Sequence, residues 1–351
     1  MQPSPKLKAV IAVPLREELC QLIEQIEPRL ELLRDHSLTP PMRGPADWSG
    51  DPAFVRTERQ QLAFDRMVDS ADVLFGIPDV NPAALKRTVL ANPQLRWVMT
   101  TAAGGGAQVQ SANLSPAQLQ RVIFTTTAGI HGQPLAEFAL FGVLAGAKDL
   151  PRLSRAQSKR HWEDRWEMRQ LSQLTVLIVG LGGIGSECAR LFHAMGAQVW
   201  GTSRSGEPIA NVDRIVSLEE LSLLGSQVDA LVVTLPGTDA TRYFVNDELL
   251  SSFRPGAIMV NVGRGSVVDE QALLRALDSG RISFAALDVF ESEPLSADSP
   301  LWDHPLVLIS PHTAALTSAE EELIARRFAS EAGRFIDGVP LRNVVDTVDF
   351  Y

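Results

Sequence analysis

Cysteine, long apolar runs and basic charge are all scarce in this chain. Its two cysteines, Cys20 and Cys188, fall in helix-like segments and form no CxxC pair. That excludes a disulfide framework and predicts buried, reduced thiols in a reducing compartment. The longest apolar run, Phe138 to Ala147, is too short to cross a bilayer. The amino terminus, MQPSPKLKAVIAVPL, lacks the apolar core of a signal peptide, so a cytoplasmic protein with no membrane partner is expected. Lysine and arginine number 32 against 42 acids, a net charge of −10, and no basic stripe alternates with aromatics. Nucleic acid is therefore not an expected partner, and no metal is expected either. What remains is an ordinary globular composition, 45% hydrophobic and 21% charged over 351 residues, enough for two domains.

The chain is organised around Thr175 to Arg204, TVLIVGLGGIGSECARLFHAMGAQVWGTSR. An apolar run stops at Gly180, glycines recur at Gly182 and Gly185, an amphipathic stretch follows, and a second apolar run ends at Ser203. This reads as strand, tight turn, helix and strand. Gly180 permits the turn, Gly182 lets a pyrophosphate approach the backbone, and Gly185 lets the helix pack on the strand. A dinucleotide site is the expectation. An NAD site places an acid about 20 residues beyond the loop, whereas an NADP site omits it and supplies arginine for the 2′-phosphate. Here Ser203 and then Arg204 occupy that place, which predicts NADP(H) as the preferred cofactor, with NAD(H) accepted.

Upstream, strands are expected at Leu7 to Val13, Leu30 to Leu33, Val73 to Ile77, Leu95 to Met99 and Val122 to Thr125, alternating with helices. Between Arg34 and Asp51, prolines and glycines predict a long loop, a plain connection or a flap carrying Trp48. The strand ending at Met99 runs into TTAAGGG, which is either an anion-binding nest or a flexible turn. Downstream, one helix runs through AEFALFGVLAGAKDL, and strands end at Thr234, Val262, Leu287 and Ile309. The alternation predicts a doubly wound parallel α/β protein, whose ligands bind beyond the carboxyl ends of the strands.

Three side chains at those ends suit hydride transfer to a keto acid. Arg264 has the charge and fork geometry to hold a carboxylate and polarise a carbonyl. His312 suits proton donation, and Glu293 suits fixing the histidine's tautomer and stabilising the imidazolium. Each taken alone has a plainer reading: turn surface, solvated acid, structural histidine. His131, at the junction between the α/β halves, is a further candidate for a substrate contact.

Four ordered blocks bring these together: VLIVGLGGIG, then LVVTLPGTDATRYFVNDELLSSFRPGAIMVNVGRGSVVDEQAL, then ALDVFESEPL, then LISPHTAAL. With them the sequence resembles the D-isomer-specific 2-hydroxyacid dehydrogenase family, and within it the glyoxylate/hydroxypyruvate reductase branch. The resemblance implies a Rossmann cofactor domain, residues 124–313, inserted into a flavodoxin-like substrate domain, residues 1–123 and 314–351, with the two crossings forming a hinge. It implies that Arg264, Glu293 and His312 are catalytic, with Arg264 also binding the substrate carboxylate. Gly183 and Ile184 would meet the pyrophosphate, Pro236 and Thr241 the adenosine half, and Val262 and Gly263 the ribose and nicotinamide. Asp288 would meet the carboxamide. Ala103, Gly104 and Gly105 match the substrate loop, whose amides receive the carboxylate. The expected activity is reduction of a small 2-keto acid to the D-2-hydroxy acid, by a homodimer joined through Pro134 to Trp166. The same family includes dinucleotide-sensing corepressors, and formate dehydrogenase resembles it but carries glutamine where Glu293 stands.

Overall fold

Every neighbouring pair of strands among the described residues runs parallel, as expected where apolar runs alternate with amphipathic helices. The computed structural model describes residues 6–204, 206–348 and 350. They form two units, one holding the described residues up to His131 and from Leu316 onward, the other Gly132–Ala315.

The first unit is built on β1 (Leu7–Ile11), β2 (Leu30–Leu33), β3 (Val73–Phe75), β4 (Trp97–Met99) and β5 (Ile123–Thr125), in the order β2-β1-β3-β4-β5. This is the flavodoxin-like order. The carboxyl-terminal segment belongs here because its helix, Glu320–Ile336, covers one face of the sheet. Phe328 stacks on Trp97 with centroids 5.1 Å apart and meets Phe75 edge-on at 5.2 Å. Trp97 lies fully inside and satisfies its indole N–H on Thr125 Oγ1 at 2.8 Å. The first crossing falls at His131 rather than near residue 123, since β5 pairs with β4 and Thr126 N donates to Asn343 O at 3.0 Å. Trp48, in the long loop before Asp51, packs on Phe75, 5.9 Å between centroids.

The second unit contains β6 (Thr175–Val179), β7 (Gln198–Thr202), β8 (Arg214–Ile215), β9 (Ala230–Val233), β10 (Ala257–Asn261), β11 (Ile282–Leu287) and β12 (Val307–Ile309). Their order, β12-β11-β10-β9-β6-β7-β8, is the Rossmann order with one further strand, and it reverses between β6 and β9. The helix Gly132–Ala147 lies directly on this sheet. A Cβ on Gly142 would stand 2.8 Å from Ala286, and one on Gly146 2.8 Å from Ile258, so both glycines let the backbones approach. The helix stops at Ala147 instead of running on. Asp149, in the left-handed region at φ 55°, caps a separate helix, Leu150–Ser158, by accepting from Arg152 N.

Candidate active site

Strand register places the candidate residues in one row. Thr202, Val179, Val233, Asn261, Leu287 and Ile309 are cross-strand neighbours in β7, β6, β9, β10, β11 and β12. The residues immediately beyond them are Ser203, Gly180, Thr234, Val262, Asp288 and Ser310. The carboxyl edge of the sheet therefore collects the side chains that the motifs singled out.

At the switch point the three glycines do three different things. Gly180 takes φ 102°, and its N–H donates to Thr202 Oγ1 at 3.0 Å. A Cβ on Gly185 would come within 2.1 Å of Gly180 O, so only glycine lets the helix Gly183–Ala194 start so close to the turn. Among the described residues, nothing beyond its own chain neighbours lies within 4 Å of where a Gly182 Cβ would be, which leaves its backbone open to a ligand. Gly183 and Ile184 begin the helix, whose first-turn N–H groups and dipole favour an anion. Ser203 is half-buried and Arg204 exposed, both directly after β7. Pro236 and Thr241 close a turn after β9, with Thr241 Oγ1 donating to Pro236 O at 2.6 Å.

The loop after β10 is shaped by Asn261. Its Oδ1 accepts from Gly263 N at 3.0 Å and its Nδ2 donates to Arg264 O at 3.1 Å. Arg264 Nη1 donates to Gly263 O at 2.8 Å, and among the described residues no carboxylate pairs with this guanidinium. The next residue ties this loop to its neighbour: a Cβ on Gly265 would fall 1.8 Å from Phe290 C and O. Phe290 N in turn donates to Glu293 Oε1 at 2.9 Å. Glu293 Oε2 faces His312 Nδ1 at 2.6 Å.

Asp288 sets the position of His312. Its Oδ1 accepts from Ser310 Oγ at 2.5 Å and from the amides of Thr313 and Ala314 at 3.0 Å each. Drawing three donors of residues 310–314 onto one oxygen curls the segment, and His312 at its apex adopts φ 53°. A left-handed histidine is uncommon and costs on the order of 1–3 kcal/mol, a strain typical of functional sites. The other oxygen, Asp288 Oδ2, is buried without a hydrogen-bond partner among the described residues. Sequence reasoning missed Asn261, Thr202 and Ser310 as supports. The signal was there, a polar residue closing an otherwise apolar strand or standing just beyond one.

Other candidates lie in the first unit. The run Ala103–Gly105 leads into a short helix, Gly106–Ser111. Gly105 N donates to Ala102 O at 3.2 Å, and a Cβ on Gly105 would collide with Thr100 Oγ1 at 1.9 Å. The loop is thus a tight built turn, with one of its amides committed internally. His131 is bound to Glu320, Nε2 to Oε1 at 2.9 Å, and both side chains are largely buried. Glu17, Cys20 and His36 also meet, with ligand-type atoms within 4.8 Å of one another. Burial pushes the Cys20 thiol up to about 12, and Arg34 engages the Glu17 carboxylate, so the trio is a poor cation site.

Residues 140–314 match the NAD binding domain of the D-isomer specific 2-hydroxyacid dehydrogenases. Glyoxylate/hydroxypyruvate reductase A of Salmonella dublin is 34% identical over 237 residues, covering 67% of this chain and 76% of the relative. A D-isomer specific 2-hydroxyacid dehydrogenase of Xanthobacter autotrophicus Py2, solved with NADPH and MES, is similar at TM-score 0.77 and 29% identity, over 99% of this chain and 100% of that one. The NADPH-dependent glyoxylate/hydroxypyruvate reductase of Sinorhizobium meliloti, solved with NADP and sulfate, gives TM-score 0.76 and 26% identity, over 99% of this chain and 100% of that one. With its fold, its ordered site and these relatives in agreement, the chain belongs to the D-isomer specific 2-hydroxyacid dehydrogenase family.

Proposed function

We propose that this protein reduces a small 2-keto acid, of glyoxylate or hydroxypyruvate type, to the D-2-hydroxy acid, with NADPH preferred over NADH. The observation that carries the reading is the 2.6 Å contact between Glu293 and His312, next to a strand end that offers an unpaired arginine. Two relatives solved with NADPH or NADP support the cofactor preference.

The residues present fit a dinucleotide. Gly182 leaves open space at a helix start, and Ser203 with Arg204 stands where NAD enzymes of this fold carry an acid. Asp288 Oδ2 is an unused acceptor for an amide N–H, such as that of a carboxamide. Gly183, Ile184, Pro236, Thr241, Val262 and Gly263 complete the proposed cofactor contacts. Bound NADPH supplies the hydride. Arg264 holds the substrate carboxylate and polarises the keto oxygen, which a cation free of protein carboxylates can do. Glu293 accepts from His312 Nδ1, fixing the tautomer and leaving Nε2 to protonate the oxygen as it becomes hydroxyl. Phe290 N–H occupies the second Glu293 oxygen, so the carboxylate cannot turn away. Ala103, Gly104 and Gly105 are assigned to the substrate carboxylate, the second unit to the dinucleotide and the first to the substrate.

A homodimer through the Pro134 to Trp166 region is part of this reading. Phe138, Leu140 and Leu144 are packed within their own unit, but Phe141 and Trp162 stay exposed, Trp162 at 96%. Unpaired, buried Cys20 and Cys188 fit the reducing cytoplasm. Among the described residues no helix is long and apolar enough to cross a membrane. A panel of 2-keto acids assayed with NADPH and with NADH tests the function. Turnover of small keto acids, faster at low NADPH than at low NADH, is expected; cofactor binding without turnover would overturn it.

A further inference from the structure

We propose that Glu270 is a positioning residue for the proton-transfer pair, tying the loop that carries Glu293 to the segment that carries Arg264. The inference rests on the reading of Glu293 and His312 given above. Glu270 opens the helix Glu270–Asp278, six residues after Arg264, yet it does no capping there. Asp269 is the cap, its Oδ1 accepting from Gln271 N at 3.0 Å and Ala272 N at 3.1 Å. Instead, Glu270 Oε1 accepts from Glu291 N at 2.7 Å, in the loop after β11.

Glu291 is gripped at its other end as well. Its carboxylate takes the Tyr243 hydroxyl, with Arg242 Nη2 at 3.5 Å. Tyr243 is itself held at φ 50°, its N–H donating to Ser266 O at 2.9 Å, two residues from Arg264. Amide and side chain of Glu291 are therefore both anchored, directly or through Tyr243, to the Arg264 segment, and Gly265 packs on the peptide just before. Phe290 N–H and Glu293 flank this point, so a shift of Glu291 carries Glu293 Oε2 away from His312. The arrangement has an energetic cost. Burial, with the Glu291 carboxylate close by, pushes the Glu270 carboxyl above its ordinary range. A raised folded-state value means that ionising this carboxyl is costlier in the folded protein, a contribution to stability that is lost as pH rises, so Glu270 is poorly explained as a stabilising residue.

The test compares Glu270→Ala, Glu270→Gln and Glu293→Gln in the full-length enzyme, reading kcat, KM for NADPH, the pH–rate profile and Tm. Glu270→Ala is expected to lower kcat about tenfold, short of the roughly 10²-fold that a 1 Å misplacement costs, with KM for NADPH near the parent's. Its rate should fall away at lower pH than the parent's, in the same direction as Glu293→Gln, because the imidazolium loses its aligned carboxylate. Glu270→Gln keeps an acceptor oxygen and should restore kcat, with a Tm at or above the parent's. A parental pH profile for Glu270→Ala beside a shifted Glu293→Gln overturns this inference alone, as does failure of Glu270→Gln to rescue. A parental profile for Glu293→Gln overturns the reading of the pair, and this inference with it.

Discussion

Two buried carboxylates, one in each unit, are handled in opposite ways. Glu331 in the first unit is 1% exposed and spends both oxygens, Oε1 on Arg342 Nε at 2.5 Å and Oε2 on Arg342 N at 2.9 Å. Asp288 in the second unit is equally buried, yet collects three donors on one oxygen and leaves the other unused. Arg264 stands apart in a similar way. Arg16, Arg29, Arg34 and Arg342 pair with first-unit acids and Arg152, Arg214 and Arg254 with second-unit acids, whereas among the described residues Arg264 meets only a backbone carbonyl. Buried polar groups are normally satisfied, so unspent capacity marks where something else is meant to bind. Among the described residues the first unit has two exceptions, Glu320 Oε2 beside His131 and Arg121 Nε, both buried and unpartnered.

The contrast predicts that second-unit substitutions damage chemistry and first-unit substitutions damage stability. The largest effect expected is on His312→Ala, with kcat down roughly 10²- to 10⁴-fold, the range for loss of a general acid, at little change in Tm. Near-normal turnover would remove His312 from the mechanism. Glu331→Ala should cost about 1–3 kcal/mol in urea unfolding, since Arg342 loses its acceptors, while turnover per folded molecule stays parental. Asp288→Asn keeps Oδ1 for its three donors but replaces the free acceptor with a donor. KM for NADPH should rise roughly tenfold, as loss of a hydrogen bond worth about 1.4 kcal/mol implies, with Tm nearly unchanged. The smallest effect concerns acid stability. Hydrogen bonds from Arg34, and then His36, hold the Glu17 carboxyl down from 4.5 to about 2. A depressed value gives stability present above pH 4.5 and lost as pH falls toward 2, so Arg34→Ala should lessen the drop in Tm across that window. An unchanged acid limb would show that solvent screens this exposed network.

Much of this was legible in the chain itself. Apolar runs marked eleven of the twelve strands found among the described residues, leaving only the two-residue β8, Arg214–Ile215, unseen. Its burial is too slight to write a pattern. The helices Gly106–Ser111 and Pro116–Arg121 were also missed, because six residues are too few for periodicity to register. Within the site, types of residue and their motifs pointed to Arg264, Glu293 and His312. What no motif carries is how they are held. The triple acceptance by Asp288 and the grip on Glu291 join residues more than 20 apart in sequence, and only the folded chain brings them together.

The collision awaiting any side chain at Gly265 has a practical side for those who would retarget this enzyme. The two loops it separates touch main chain to main chain, so neither can be remodelled while the other keeps its course. A library that randomises one strand end alone will discard most of its members as misfolded. One that exchanges the Arg264 and Glu291 segments together, as a single cassette, keeps their shared surface intact and moves specificity without unseating the proton donor.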